Sequence, residues 1–236
     1  MIKIQEFEFF NFKSAIRGMR NPHDSWDKSD TIMCDEIPCL DCPMVDNCNS
    51  MGDPSSYPII GESDLALMRK LYKAGPEHAK FMRQIFCSFD VTAPLYWWKE
   101  MDTYKIGTTS NSCSTMHTIH KRDLNVDDFS HEHLSPMAME NLKQTINTIN
   151  FYRNLFVNDA DEKGNKEHWW QIIQLLPSSY NQRRTLTMSY ANLSNIVKQR
   201  TGHKLDEWRR FVENILIRVP YLRQIMGIES FAPDLG

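Results

Sequence analysis

No stretch of the 236-residue chain approaches the ~20 consecutive apolar residues that a membrane-spanning helix needs. The N-terminal MIKIQEFEFFNFKSAIRG interrupts its apolar residues with Lys3, Gln5, Glu6 and Glu8, so it lacks the unbroken apolar core of a secretory signal. Both absences point to the cytosol, where the six cysteines are expected to be reduced or bound to metal. A basic excess is missing too. Lys and Arg number 27 against 30 Asp and Glu, a net charge of -3, which leaves no electrostatic footprint for a nucleic-acid polymer. Tandem repeats are absent as well. What remains is a chain with 41% hydrophobic residues, enough for one compact domain or a domain with a small appendage. The expected division is an N-terminal strand with a cysteine-rich segment over residues 1–62, then a larger domain over residues 63–236.

The stretch from Pro94 to His117 has a composition that packing alone does not explain. Thr108, Thr109, Ser110, Ser112, Ser114 and Thr115, interleaved with Asn111 and Cys113, offer almost nothing to bury. Hydroxyl side chains bond to backbone and to polar ligands and favour caps and turns. The expectation is a polar loop that wraps a ligand. Just before it, Tyr96, Trp97 and Trp98 stand beside Lys99, Glu100, Asp102 and Lys105, a mixture suited to a pocket with apolar walls and a few fixed charges. Taken singly, the same residues also read as core tryptophans, a solvated charged face and a surface loop.

Cys34, Cys39, Cys42 and Cys48 fall within fifteen residues with the spacing C-x4-C-x2-C-x5-C. Four thiolates converging on one ion make a tetrahedral zinc site. An iron-sulfur cluster also takes four thiolates, and free thiols or a reversible disulfide are the alternatives without metal. Four protein ligands leave no open coordination position, so a structural clip is expected rather than a catalytic centre. Between strand and cysteines, Arg17, Arg20, His23, Ser25, Trp26 and Asp27 crowd a segment of turn-forming residues. Capping and packing are the expected role there, ahead of phosphate binding.

Periodicity supplies the elements. Residues 2–10 alternate as a half-buried strand does, and 12–19 suit a short helix. A helix follows Gly61, with Ser63 as its cap and Gly75-Pro76 as its stop. For KFMRQIFCSFDVTAP, strand and helix both remain open. Ser135 to Val157 is helical, with Met139, Leu142, Ile146, Ile149 and Leu155 in register, and a second helix through Trp169 and Leu176 ends at Pro177. Thr185 to Tyr190 alternates as a strand, followed by helices over 192–199 and 204–218. Strands among several long helices predict an α+β (α/β-like) fold with helices packed on a central sheet.

From about Ser63 to Phe211 this order of residues resembles the flavin-dependent thymidylate synthases (thymidylate synthase complementing proteins). Glu77-His78-Ala79, followed by an aromatic stretch and Pro94, is similar to the family's Glu-His segment. The signature RHRxxSxNExSxRY resembles Thr103-Tyr104-Lys105-Ile106-Gly107-Thr108 and, after one extra residue, Asn111 to His117. Leu176-Pro177, Asn192-Leu193, Arg200 and Glu207-Trp208 run parallel to later landmarks of the family. The departures fall on the chemistry: Thr103 and Tyr104 replace an arginine and the histidine, Ser112 replaces the glutamate, and Met116-His117 replace the closing Arg-Tyr. Lys105 keeps a positive charge but not the bidentate fork of arginine.

The resemblance implies an enzyme that methylates a pyrimidine nucleotide, deoxyuridine monophosphate in the family, with reduced FAD. NADPH and methylenetetrahydrofolate would be co-substrates, and the protein a homotetramer. It implies FAD contacts at His78, Lys105, Thr108 and Asn111 and nucleotide contacts at Ser114 and Arg200. Cys113 has no adjacent base and reads as a packed or loop cysteine rather than a nucleophile. The competing expectation is a binding or regulatory protein that keeps the scaffold without flavin chemistry.

Overall fold

The computed structural model describes residues 2–36, 57–158 and 162–228. Its elements in chain order are β1 (Lys3–Phe10), α1 (Phe12–Arg20), β2 (Ile32–Met33), β3 (Pro58–Ile59), α2 (Glu62–Ala74), β4 (Phe86–Pro94), α3 (Leu95–Met101), β5 (Thr108–Ser112) and α4 (Thr115–Thr118). There follow α5 (Pro136–Asn158), α6 (Glu162–Leu175), β6 (Asn181–Ser189), α7 (Tyr190–Arg200), α8 (Asp206–Arg218) and α9 (Leu222–Met226). The main sheet has the order β1-β4-β6-β5, and β2 pairs with β3 in a separate two-stranded sheet. The expected α+β class with several long helices is what is found.

Alternation explains the central strands. Along β4, Cys87, Phe89, Val91 and Ala93 are buried while Ser88, Asp90 and Thr92 are only partly so. On β6, Leu186 and Met188 are buried and Arg183 and Thr185 exposed. A period of two therefore separates an apolar face from a polar one. This settles the open segment: a short 3-10 turn at Lys80–Arg83 leads into strand β4.

Two compact units interleave along the chain. One comprises residues 1–4, 90–104 and 110–185; the other comprises residues 5–89, 105–109 and 186–236. All four strands of the main sheet contribute residues to both.

The first unit is built on α5 and α6. Leu142, Ile146 and Ile149 of α5 join Ile172 of α6 and Ile119, Leu124 and Phe129 from the connecting segment in one core. The 4,3 spacing along α5 puts these side chains on one helical face. Asn150, beside that face, grips the segment that crosses it: its Oδ1 accepts from the Leu124 amide at 2.8 Å and its Nδ2 donates to the Leu124 carbonyl at 2.8 Å. Trp97 and Trp98 of α3 are 0% and 1% exposed. They are core residues and not the pocket walls expected, because the helical turn aims both inward along with Met101.

The second unit packs α1, α2, α7, α8 and α9. Tyr190 sits at its centre: the backbone amide donates to the Ile85 carbonyl at 2.9 Å, the hydroxyl donates to the Pro220 carbonyl at 3.1 Å, and Phe12 meets its ring edge-on. The turn-rich segment after α1 is held by a buried polar knot. Arg20, 4% exposed, donates from Nε to Asp64 Oδ1 at 2.6 Å, and Asp64 is 0% exposed. Asp64 Oδ2 also accepts from the hydroxyls of Ser29 and Thr31 and the amides of Asp30 and Thr31. Burial acts to raise the Asp64 carboxyl, but the hydrogen bonds from Ser29, Thr31 and Arg20 outweigh it and hold the group below its ordinary value. Capping and packing are thus the role of this segment.

The cap of α2 is not Ser63. The Asp30 carboxylate accepts from the amides of Ser63 and Asp64 at 2.8 and 3.0 Å, while the Ser63 hydroxyl accepts from Arg20. Asp30 approaches so closely that a Cβ on Gly61 would lie 2.2 Å from its Cγ, which only glycine tolerates. At the other end Gly75 stops the helix with φ 113.

The β2–β3 ladder pairs Ile32 with Ile59 and Met33 with Pro58, and the Cys34 amide donates to the Tyr57 carbonyl at 2.9 Å. Cys34 is buried; Cys39, Cys42 and Cys48 lie outside the described residues. Among the described residues no group of three or more His, Cys, Asp and Glu could hold a metal ion. No helix among them is long and apolar enough to cross a membrane.

Candidate functional site

The hydroxyl-rich run expected to be a loop is largely an edge strand. Thr108 to Ser112 form β5, and Thr115 begins the short α4. The physical reason is pairing: with four of its five residues exposed, β5 buries little and is held by backbone bonds to a distant partner strand. The Cys113 amide, just beyond its end, donates to the Arg183 carbonyl at 2.9 Å.

In the first unit this end of β5 enters a dense polar network. Gln182 Nε2 donates to the Cys113 carbonyl at 2.9 Å and to Thr115 Oγ1 at 3.2 Å, and its Oε1 accepts from Arg184 Nε at 2.9 Å. Arg184 lies 4.2 Å over the Trp98 ring and donates to Asp102 at 2.8 Å. The indole of Trp98 donates in turn to the Gln182 carbonyl at 2.9 Å.

Beside this network the first unit holds an open cleft of about 650 Å³, within the range of small-molecule sites. The strands supply Lys3, Thr92 and Arg183, and Cys113 follows from β5. The segment before α5 supplies Arg122, Asp127, Asp128, His131 and Glu132, with Tyr180 beyond α6. That segment is made rigid locally. Arg122 forks onto both oxygens of Asp128, and Asp128 also accepts from the Asn125 amide. Burial acts to raise the Asp128 carboxyl, yet Arg122 and the Asn125 amide leave it below its ordinary value. Burial, then the negative charge of Asp128, pushes the Tyr180 hydroxyl up, so it stays a proton donor. Phe129 pairs with Tyr180 through a backbone bridge and a ring contact at 5.7 Å.

Two cations of the cleft remain uncommitted. Among the described residues neither the Lys3 ammonium nor the Arg183 guanidinium has a hydrogen-bond or ion-pair partner, and both are exposed. His131 Nδ1 lies 2.9 Å from the Phe129 carbonyl. A carbonyl only accepts, so Nδ1 is the donor in this contact. The Cys113 sulfur lies 3.7 Å from Thr118 Oγ1, whose own proton goes to the Ser114 carbonyl at 2.7 Å. The sulfur is therefore placed as the donor of that contact.

The residues singled out by the resemblance fall elsewhere. In the second unit His78 is exposed in the turn after Gly75, and Lys105 is exposed before β5. Thr108 opens β5 and accepts from Asn192 Nδ2 at 3.1 Å, while the same Nδ2 donates to the Ile106 carbonyl at 2.7 Å. Arg200 ends α7 with its guanidinium 4.4 Å over the Trp208 ring and 3.1 Å from His203 Nε2. In the first unit Asn111 is exposed on β5 and Ser114 precedes α4. None of the six lines the cleft. Sequence reasoning missed Lys3, Thr92, His131 and Arg183. The signal it had was alternation at one of them: Thr92 occupies a polar position between the buried Val91 and Ala93 of β4.

No protein-family model matches the chain, and no curated protein matches it in sequence. Solved structures match in fold. The flavin-dependent thymidylate synthase ThyX of Helicobacter pylori, solved with FAD and dUMP, superposes with a TM-score of 0.60 at 13% identity, covering 96% of this chain and 97% of that one. A second structure of that enzyme, also with FAD and dUMP, gives 0.58 at 14% identity over 94% and 97%. The UMP/dUMP methylase PolB of Streptomyces cacaoi, bound with 5-Br UMP, gives 0.56 at 12% identity over 96% and 92%. At these identities the likeness is one of fold: the chain is similar along nearly its whole length to the ThyX architecture.

Proposed function

We propose that the protein is a divergent enzyme acting on a pyrimidine nucleotide, in the manner of a flavin-dependent thymidylate synthase that transfers a one-carbon unit to deoxyuridine monophosphate. The observation that carries this is the near full-length fold likeness to proteins solved with dUMP or a UMP analogue, two of the structures also with FAD. The donor set fits a phosphate-bearing flavin. Lys105 and Arg200 are cations, and Asn111 and Ser114 offer polar edges. We assign FAD contacts to His78, Lys105, Thr108 and Asn111, and nucleotide contacts to Ser114 and Arg200. Bound FAD would supply the redox chemistry, and the protein would bind and orient. Arg200 suits its part because the Trp208 face and His203 hold its guanidinium, leaving less rotamer freedom to lose on binding. NADPH and methylenetetrahydrofolate as co-substrates, a homotetramer and a zinc clip at Cys34, Cys39, Cys42 and Cys48 belong to the same proposal.

Titrating the protein with FAD, with and without deoxyuridine monophosphate, while following flavin fluorescence and calorimetric heat, tests it. Arg200→Ala is expected to weaken nucleotide binding by roughly 1.5–3 kcal/mol, the worth of a hydrogen bond to a charged group. Absence of binding by either ligand at millimolar concentration would leave a scaffold without flavin chemistry. The substitutions at Thr103, Tyr104 and Met116, where the family carries Arg or His, favour that second reading. Light scattering reads the oligomer, and elemental analysis of protein purified without chelator reads about one zinc per chain if the four thiolates form one site.

A further inference from the structure

We infer that the cleft of the first unit binds a small zwitterion of the amino-acid class, its carboxylate on Lys3 and Arg183 and its ammonium on Asp127 and Glu132. The cleft is balanced in charge: Lys3, Arg122 and Arg183 stand against Asp127, Asp128 and Glu132. The two signs are sorted by element. Arg122 and Asp128 neutralise each other through their fork. What is left is a pair of cations on the strands, Lys3 of β1 and Arg183 of β6, and a pair of carboxylates, Asp127 and Glu132, on the segment before α5.

The strand wall is a seat for a carboxylate. β1, β4 and β6 are neighbours in the sheet, and a spacing of about 4.8 Å per strand sets Lys3 and Arg183 on either side of Thr92. Neither cation has a hydrogen-bond or ion-pair partner among the described residues. Arg183 offers a planar fork that matches the two oxygens of a carboxylate, Lys3 a point charge and Thr92 a hydroxyl donor. The opposite wall is the complement. The Asp127 carboxylate has no partner among the described residues, Glu132 stands with it, and the Phe129–Tyr180 bridge ties this segment down. An anion alone would meet these carboxylates, and a cation alone would meet Lys3 and Arg183. A molecule that carries one charge of each sign satisfies both walls. Tyr180, its ring against Phe129, adds apolar surface for a side chain, and a cleft of about 650 Å³ has room for a free amino acid or a dipeptide.

The inference is independent of the flavin and nucleotide reading, since none of the residues assigned there lines the cleft. The full chain is titrated calorimetrically with the common L-amino acids and with dialanine, at low and high salt. At least one is expected to bind, less tightly at high ionic strength. Binding of a free amino acid without dialanine restricts the ligand to amino acids, and binding of dialanine admits short peptides. For the tightest binder, the N-acetyl and carboxamide forms, each lacking one charge, should bind about tenfold more weakly or worse. Arg183→Ala should weaken the zwitterion by about tenfold or more and Lys3→Ala by severalfold, while Asp127→Asn should narrow the gap between the zwitterion and its N-acetyl form. A local readout accompanies the titration: alkylation of Cys113, taken as the difference between the parent and Cys113→Ser, should slow severalfold in saturating ligand. Absence of binding by every zwitterion, affinity that survives loss of either ligand charge, or parent-like affinity in Arg183→Ala overturns the inference. So does protection of Cys113 by uridine monophosphate alone, which would hand the cleft to the nucleotide. A protein that binds a zwitterion but neither FAD nor deoxyuridine monophosphate keeps the cleft site and removes the nucleotide reading; the reverse result removes the cleft site alone.

Discussion

Arg20 and Arg183 are set in polar surroundings of similar composition, and they differ in what they have to bond. Arg20, in the second unit, meets a carboxylate, a hydroxyl and a carbonyl and is 4% exposed. Arg183, in the first unit, meets none among the described residues and is exposed. Asp64 and Asp127 repeat the contrast on the acidic side. Where the charged groups are paired internally, a charge cluster fastens loops and helices. Where the capacity is left over and opens to solvent, the cluster has something to offer a ligand. Number and type of charged residues do not separate the two cases; the count of satisfied partners does.

The sharpest way to break the contrast is to damage the knot. Asp64→Ala would strand Arg20 as a buried, uncompensated charge, and a loss of about 3–5 kcal/mol in urea unfolding is expected. Exchanging Arg20 and Asp64 together for Met and Leu should cost less than the sum of the single changes, since no lone charge remains. Additive losses in that double-mutant cycle would show that the pair is not coupled.

Acid should reach the knot selectively. Asp64 is held below its ordinary value in the folded protein, so the folded state takes up its proton less readily than the unfolded one. The stability this confers is fully present above the unfolded carboxylate pKa of about 3.9 and is lost as the pH falls through the lower folded value. Unfolding midpoints measured from pH 6 downward should fall for the parent and fall less steeply for Asp64→Asn. Equal slopes would remove Asp64 from the account.

A middle-sized effect is expected from Asn150→Ala, which leaves the amide and carbonyl of Leu124 without their partners. Roughly 1–3 kcal/mol is the expected loss. Because Leu124 belongs to the first unit's core, hydrogen exchange should accelerate around residues 120–130 and leave α1 and α2 protected. Acceleration at α1 would contradict the local character of this grip.

Much of the fold was legible because it rests on local pattern. The strand at residues 3–10, the α5 stripe of Leu142, Ile146 and Ile149, and the stop at Gly75 follow from period and backbone preference alone. What was not legible depends on partners far along the chain. Hydroxyl residues are indifferent between loop and edge strand, and β5 becomes a strand through pairing beside Arg183, some seventy residues on. Asp30 displaces Ser63 as the cap of α2 because a carboxylate reaches back over Gly61, which no local motif announces. Trp97 and Trp98 looked like pocket walls beside charged neighbours; the turn of α3 sends them inward. The cleft joins Lys3, Thr92, Cys113 and Arg183, residues adjacent only once the strands are ordered.

The smallest expected effect is the one that sharpens the contrast most. Arg183→Ala and Lys3→Ala remove exposed charges that have no partner among the described residues, so neither change abandons a buried group or opens a cavity. Each is expected to move folding stability by no more than about 0.5 kcal/mol, against the several kcal/mol expected at Asp64. If the uncommitted charges take no part in the fold, the unfolding midpoint stays in place. A clear drop in stability for Arg183→Ala would mean that the side chain is already spent on the fold, and the distinction between the two arginines would collapse.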